Sequence, residues 1–533
     1  MTTGAFRVLG ASAHVDTFCR DNLPPRDSWP EFVFDRPELH YPDRLNIAVE
    51  LLEPHDAGRP CLLTTAGERW TYGELREQVN RIANVLVEAG IVPGNRVLLR
   101  GPNTPWLVAS WLAVLRAGAV AVSTMPLLRA GELTAIAGIA RISLALCDDR
   151  FVDDLAAADL GGAPIIAFGE LGERVRSASA GFAAVDTAAE DVALLAFTSG
   201  TTGRPKATMH FHRDLLAVTD TFSRHVVKPR ADDVFTGTPP IAFTFGLGGL
   251  VLFPLRVGAS TLLIEKASPE ELADAIDTHQ VSICFTAPTA YRAMLRSGRA
   301  ASLRGLRRAV SAGEHLPEAT WRACHEETGL RLIDGIGSTE MLHVFVSAAD
   351  DEIVPGATGR AVPGYRARIV DEDGLPVPPG QPGRLAVQGP TGCRYLADPR
   401  QSVYVRDGWN LTGDTFVQDE LGYFRYQARS DDMIVSSGYN IAGPEVEEVL
   451  VTHVAVAECC VVGVPDAERG QLVKAFVVLA GDRRGDDALV AELQAFVKAN
   501  LAPYKYPRAI EFVTALPRSA TGKLQRHVLR ERG

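Results

Sequence analysis

Apolar positions recur along this chain in two rhythms, and the change from one to the other divides it. A short apolar run (Val97, Leu98, Leu99) is followed by a helix-like stretch from Trp106 to Leu115 and a second run from Ala119 to Val122. Strand, helix and strand in that order predict a parallel sheet covered by helices. The run Val192 to Phe197 predicts another strand, which leads directly into a loop of hydroxyl residues and glycines. Ala259 to Ile264 and Ser282 to Phe285 predict two more strands, flanking a helix that begins near Pro269. This α/β pattern extends through the first 340 residues.

Beyond about residue 355 the runs become short and alternating, as in Arg366 to Val370 and Arg384 to Val387, and are separated by the turn formers Asp373-Gly374 and Pro378-Pro379-Gly380. A smaller β-rich unit is predicted here. The final hundred or so residues predict an α+β unit. It comprises a helix after Pro444 (Val446, Val449, Leu450), strands near Cys459 to Val464 and Lys474 to Leu479, and a helix near Leu489 to Asn500. The expected fold is therefore α/β, with a large N-terminal domain of parallel sheets plus the β-rich unit (1–430) and a separate C-terminal domain (431–533), divided near Asp431.

Composition narrows the function classes. A chain of 533 residues accommodates several packed units, and 46% hydrophobic with 22% charged residues excludes a disordered or fibrous protein. A formal net charge of -11 opposes sequence-independent binding to nucleic acid. The uncharged stretches 101–115 and 117–128 are shorter than the roughly 20 residues that span a bilayer, so no membrane partner is expected. Arg7, His14, Asp16 and Arg20 leave no apolar core for a secretory signal, which points to the cytoplasm. Eight cysteines without a C-x-x-C pair are expected to be buried small apolar groups in a reducing compartment.

The most informative segment is Thr198-Ser199-Gly200-Thr201-Thr202-Gly203-Arg204-Pro205-Lys206. Glycines let backbone N–H groups approach phosphate oxygens, hydroxyls add donors, and Lys206 adds positive charge. A nucleoside triphosphate is the natural ligand. The arrangement is not the Walker loop, because the lysine follows a proline instead of a glycine.

This loop resembles the phosphate-binding motif of the adenylate-forming superfamily, which includes acyl- and aryl-CoA ligases, peptide-synthetase adenylation domains and beetle luciferases. Further motifs follow in the family order. Gly335-Ile336-Gly337-Ser338-Thr339-Glu340 is similar to the second nucleotide motif, with Ile336 in place of the usual aromatic residue. Leu411-Thr412-Gly413-Asp414 resembles the T-G-D motif, and Ala428-Arg429-Ser430-Asp431-Asp432 the hinge motif, with Ala428 where glycine is common. Leu516-Pro517-Arg518-Ser519-Ala520-Thr521-Gly522-Lys523 resembles the C-terminal lysine motif.

The resemblance implies a division of labour. Lys523 would meet the substrate carboxylate and the α-phosphate of ATP, Thr339 the α-phosphate, and Glu340 a Mg²⁺ ion. Asp414, with Arg429 beside it, would hold the ribose hydroxyls, while Gly313, Glu314 and the segment Asp334 to Ser338 would lie along the rest of the nucleotide. Asp431 matches the hinge about which the C-terminal domain rotates, and Ser437-Gly438-Tyr439 the segment passed by the pantetheine arm of coenzyme A.

Within the superfamily, the stretches Gly337 to Phe345 and Phe243 to Gly248 are most similar to benzoate- and 2-aminobenzoate-CoA ligases. That similarity places Thr244, Phe245, Ala312, Gly337, His343 and Val344 around a small aromatic acid. The expected reaction joins the acid to ATP as an acyl-adenylate and then to CoA. Thr244 tilts the acid from benzoate toward 2-aminobenzoate. A carrier-protein phosphopantetheine is the alternative acceptor, and a homodimer is left open. A non-catalytic nucleotide sensor is the contrasting class, opposed by the presence of both Lys523 and Glu340.

Overall fold

The structure is a computed structural model describing residues 9–198, 205–429, 432–436, 439–466, 469–481, 483–501, 504–519 and 524–532. The first predicted strand–helix–strand unit forms as Arg96–Arg100, Pro105–Arg116 and Val120–Thr124, with the two strands parallel. Local chemistry explains the helix: Pro105 opens it, and the Thr104 hydroxyl accepts the Leu107 N–H at its N-terminus. Almost every residue of the helix is buried, Trp111 completely, so its apolar character all round reflects a location inside the molecule.

Two large sheets carry the N-terminal region. One has six strands in the order Ile165–Ala167, Leu144–Cys147, Arg96–Arg100, Val120–Thr124, Val192–Thr198 and Lys206–Phe211, all parallel except the last pair. The other has nine, with a parallel centre running Ile333–Gly337, Arg308–Ala312, Ile283–Thr286, Val234–Gly237, Ser260–Leu263 and Pro60–Thr64. A single apolar core draws on both, including Leu99, Trp111, Phe235, Phe285 and Phe345. The helix expected near Pro269 spans Pro269–Thr278 and is closed by a Ser268–Glu271 capping box.

The β-rich unit is a five-stranded antiparallel sheet built on Arg366–Val370, Pro382–Gln388 and Trp409–Gln418. The C-terminal unit pairs Val456–Asp466 with Gly470–Leu479 and packs the helices Gly443–Leu450 and Asp487–Asn500 beside them. The expected fold class, parallel α/β sheets with a smaller β-rich unit and an α+β C-terminal unit, is present. All eight cysteines are buried, and among the described residues no helix is long and apolar enough to cross a membrane.

Candidate active site

Parallel strands leave a crevice at their carboxyl ends, where chain leaves the sheet and backbone groups are free to face a ligand. The motif residues gather at those ends. Thr198 ends one strand, Ala312 ends the next relevant one and leads to Gly313 and Glu314, and Gly337 ends a third and leads to Ser338, Thr339 and Glu340. Residues 199–204, with Ser199, Gly200, Thr201, Thr202 and Gly203, lie outside the described residues, as do Asp431, Ser437, Gly438 and Lys523. Only the backbone of Tyr439 is described.

At the centre are two opposite charges. Lys206, the first residue of its strand, places Nζ 2.8 Å from Glu340 Oε1. The Tyr395 hydroxyl donates to the same oxygen at 2.6 Å and is also bonded to the Lys206 amine. Glu340 is 7% exposed. Burial alone would raise its pKa, but the Lys206 charge and hydrogen bonds from Lys206 and Tyr395 bring it below the ordinary carboxylate value. The carboxylate is thus ionised.

The neighbouring backbone is equally fixed. His210 Nε2 lies 2.8 Å from the Thr339 carbonyl, which can only accept, so this nitrogen carries the proton. Burial lowers His210 to about 4, leaving a neutral ring at pH 7. Beneath it, Arg394 and Asp214 form a completely buried ion pair, and the Arg394 guanidinium lies 3.9 Å from the Phe211 ring centroid.

Asp414 and Arg429 are register partners on adjacent antiparallel strands, with Arg429 Nη1 3.2 Å from Asp414 Oδ1. Their expected association is therefore present. Asp334 lies on the strand Ile333–Gly337, and burial raises its carboxyl to about 7, with His315, a Thr358 hydrogen bond and the Gly335 backbone opposing. Glu314 is engaged by Arg518 Nη1 from the C-terminal unit at 2.5 Å.

Of the residues expected to line the acid pocket, Phe245 and Gly337 meet His343, which is 3% exposed. Its ring centroid lies 4.7 Å from Phe253, 5.3 Å from Phe222 and 5.7 Å from Phe245. Burial lowers it to about 3, against a weaker pull from the Phe245 backbone, so the imidazole is neutral. Neither ring nitrogen closes a well-formed hydrogen bond with a described protein atom. Two glycines make this box possible. A Cβ on Gly337 would stand 2.6 Å from the His343 carbonyl oxygen, and one on Gly248 would stand 2.3 Å from His343 Cδ2. Val344 pairs with Gly337 across an antiparallel bridge, and Thr244 opens the short helix Thr244–Leu247 that carries Phe245.

The motif reading did not contain Tyr395, His210, Phe222 or Phe253. Phe222 and Phe253 arrive from helices whose apolar residues look like any others in the sequence, and only packing turns them toward His343. Tyr395 follows Thr391-Gly392-Cys393-Arg394, and its one sequence signal is a phenol, which must find a partner when buried.

This combination of fold and site defines an adenylate-forming enzyme. The family described as "AMP-binding enzyme" matches residues 53–395, and "AMP-binding enzyme C-terminal domain" matches residues 445–523. The chain belongs to this family and is an acid–thiol ligase. It is 36% identical over 518 residues to a benzoate–CoA ligase of Thauera aromatica, covering 93% of this chain and 97% of that protein. It is 35% identical over 477 residues to a 3-hydroxybenzoate–CoA ligase of Aromatoleum sp. (strain CIB), covering 86% and 91%. The crystal structure of the anthranilate CoA ligase AuaEII in complex with anthranoyl-AMP superimposes with a TM-score of 0.89 at 32% identity, covering 93% of this chain and 99% of that one.

Proposed function

We propose that this protein is an ATP-dependent aryl-CoA ligase whose acid is 2-aminobenzoate or benzoate. The observation that carries the reading is the aromatic box around neutral His343, walled by Phe222, Phe245 and Phe253, with the Gly337 backbone packed against the His343 carbonyl. A flat, compact acid fits such walls, whereas a long alkyl chain gains little from them. The neutral imidazole is suited to a hydrogen bond with a ring amino group, which favours 2-aminobenzoate.

A carboxylate resists thiolate attack because expelling oxide from its carbonyl carbon is unfavourable. Forming a mixed anhydride with AMP supplies a leaving group. That first step brings a carboxylate against the α-phosphate, two anions, and the site must hold cations in advance. Lys523 is assigned to this contact, Lys206 to the triphosphate, Thr339 to the α-phosphate, and Asp414 with Arg429 to the ribose. Thr198 to Gly203 are assigned to the phosphates, and Gly313, Glu314 and Asp334 to Ser338 to the rest of the nucleotide.

Magnesium fits the donor set. No cluster of three or more acidic, histidine or cysteine side chains occurs among the described residues, and Mg²⁺ characteristically takes one or two carboxylates plus phosphate oxygens and water. Glu340, ionised and almost fully buried, is the residue that would hold it. When bound, the ion neutralises phosphate charge and so favours release of pyrophosphate.

Thioester formation requires a thiol near the position Lys523 occupies during adenylation, which one rigid arrangement does not provide. The C-terminal domain, from residue 431 onward, is therefore assigned a rotation about Asp431, with Ser437, Gly438 and Tyr439 admitting the pantetheine arm. Incubation with ATP, Mg²⁺ and CoA across benzoate, 2-aminobenzoate, 2-hydroxybenzoate and octanoate, with AMP and thioester measured, tests the assignment. Preference for a single-ring acid is expected; octanoate as the best substrate would refute it.

A further inference from the structure

One hydroxyl group is shared by the two charges at the centre of the site. Tyr395, 1% exposed, donates to Glu340 Oε1 at 2.6 Å and accepts from the Lys206 amine. Lys206 Nζ also lies 4.5 Å from the Tyr395 ring centroid and 5.6 Å from that of Tyr404. Tyr404 in turn is hydrogen-bonded to Ser338 in the same turn as Glu340, at 3.1 Å.

The backbone of Tyr395 is fixed independently of its hydroxyl. Met209 N–H donates to the Arg394 carbonyl at 2.8 Å and Leu396 N–H to the Ala207 carbonyl at 2.9 Å, so this segment pairs with the strand that begins at Lys206. Gln401 accepts the Tyr395 N–H at 2.8 Å and itself donates to the Cys393 and Ser28 carbonyls at 3.1 and 2.8 Å. A phenol anchored this firmly directs its bond to one place.

In the arrangement described, Lys206 and Glu340 neutralise each other. A triphosphate competes for Lys206, and departure of the amine would leave a buried carboxylate without its main counter-charge. Tyr395 is the group that remains. We propose that Tyr395 is a positioning residue: its hydroxyl holds the Glu340 carboxylate turned toward Mg²⁺ while Lys206 moves to the phosphates. The proposal rests on the assignment of Mg²⁺ to Glu340 and not on the identity of the acid.

The test is ATP affinity of the full chain, by calorimetry, with excess Mg²⁺ and with EDTA, in wild type, Tyr395→Phe, Glu340→Gln and the double variant. Phenylalanine keeps the ring and removes only the hydroxyl. Without Mg²⁺, wild type and Tyr395→Phe should agree within about twofold, which also verifies folding; with Mg²⁺, the variant should lose about tenfold of the wild-type gain. The double variant should lose no more than Glu340→Gln alone, because both changes act through one carboxylate. An undiminished Mg²⁺-dependent gain in Tyr395→Phe, or an equal loss with and without Mg²⁺, would overturn the proposal. Absence of any Mg²⁺-dependent gain in wild type would overturn the Mg²⁺ assignment and the proposal together. A normal gain without turnover of any aromatic acid would overturn only the substrate reading and leave the Tyr395 result valid.

Discussion

At the scale of single residues, three positions have separable roles. Gly248 has no room for a side chain against His343, so Gly248→Ala should displace the imidazole and misplace the bound acid. A misplacement of about 1 Å lowers kcat/KM for the acid by about 100-fold while leaving the KM for ATP near its original value, as steady-state kinetics will report. Asp334 tests a charge. Burial raises its folded carboxyl to about 7, well above the ordinary carboxylate value, so its contribution to stability is complete below about 4 and is lost as pH rises through about 7. On the proposed placement of the nucleotide along Asp334 to Ser338, a nucleotide donor facing this carboxyl favours the carboxylate and releases a proton near neutral pH. Calorimetry in buffers of different ionisation heat should detect that release, and Asp334→Asn should abolish it. Asp214 has a structural role: Asp214→Ala would strand the buried Arg394 guanidinium, at a cost of about 3 to 5 kcal/mol measurable by denaturant unfolding.

At the scale of elements, helix starts and strand ends were legible because their chemistry is local. The stretch expected from Trp106 to Leu115 forms as Pro105–Arg116 and the helix expected near Pro269 as Pro269–Thr278, with Thr104 and Ser268 capping their N-termini. The helix Pro105–Arg116 packs on the strands Arg96–Arg100 and Val120–Thr124 and buries Trp111 completely, and Trp111→Ala should cost about 3 to 5 kcal/mol, seen as a lowered midpoint in thermal unfolding. Less was legible toward the N-terminus. The strand Pro60–Thr64 joins the nine-stranded sheet beside Ser260–Leu263, almost 200 positions later. Such a partner is chosen by sheet topology and leaves little trace in a local window.

For the whole molecule, the ion pairs between the N-terminal and C-terminal units define a particular mutual arrangement. Arg518 meets Glu314 at 2.5 Å, His315 meets Glu448 at 2.8 Å, and Arg296 donates to the Ala457 and Val456 carbonyls at 2.8 and 3.0 Å. Arg518 belongs to the same motif as Lys523, so this arrangement is expected to serve adenylation. Arg518→Ala should slow pyrophosphate exchange by about tenfold, the equivalent of one charge-assisted hydrogen bond, with thioester formation from supplied aryl-adenylate changed by less than about twofold. Equal slowing of both half-reactions would contradict the assigned rotation.

Sequence alone determined the fold class, because hydrophobic period is written in consecutive positions, and it carried the motifs whose resemblance to the adenylate-forming superfamily gave the expected site residues. The pocket's aromatic walls and the shared hydroxyl were decided only by tertiary structure. Phe222, Phe253 and His343 come from segments far apart in the chain, and Tyr395 reaches Lys206 across 189 positions. Their meeting depends on how sheets and helices close over one core, a property of the packed whole that no local window of residues contains.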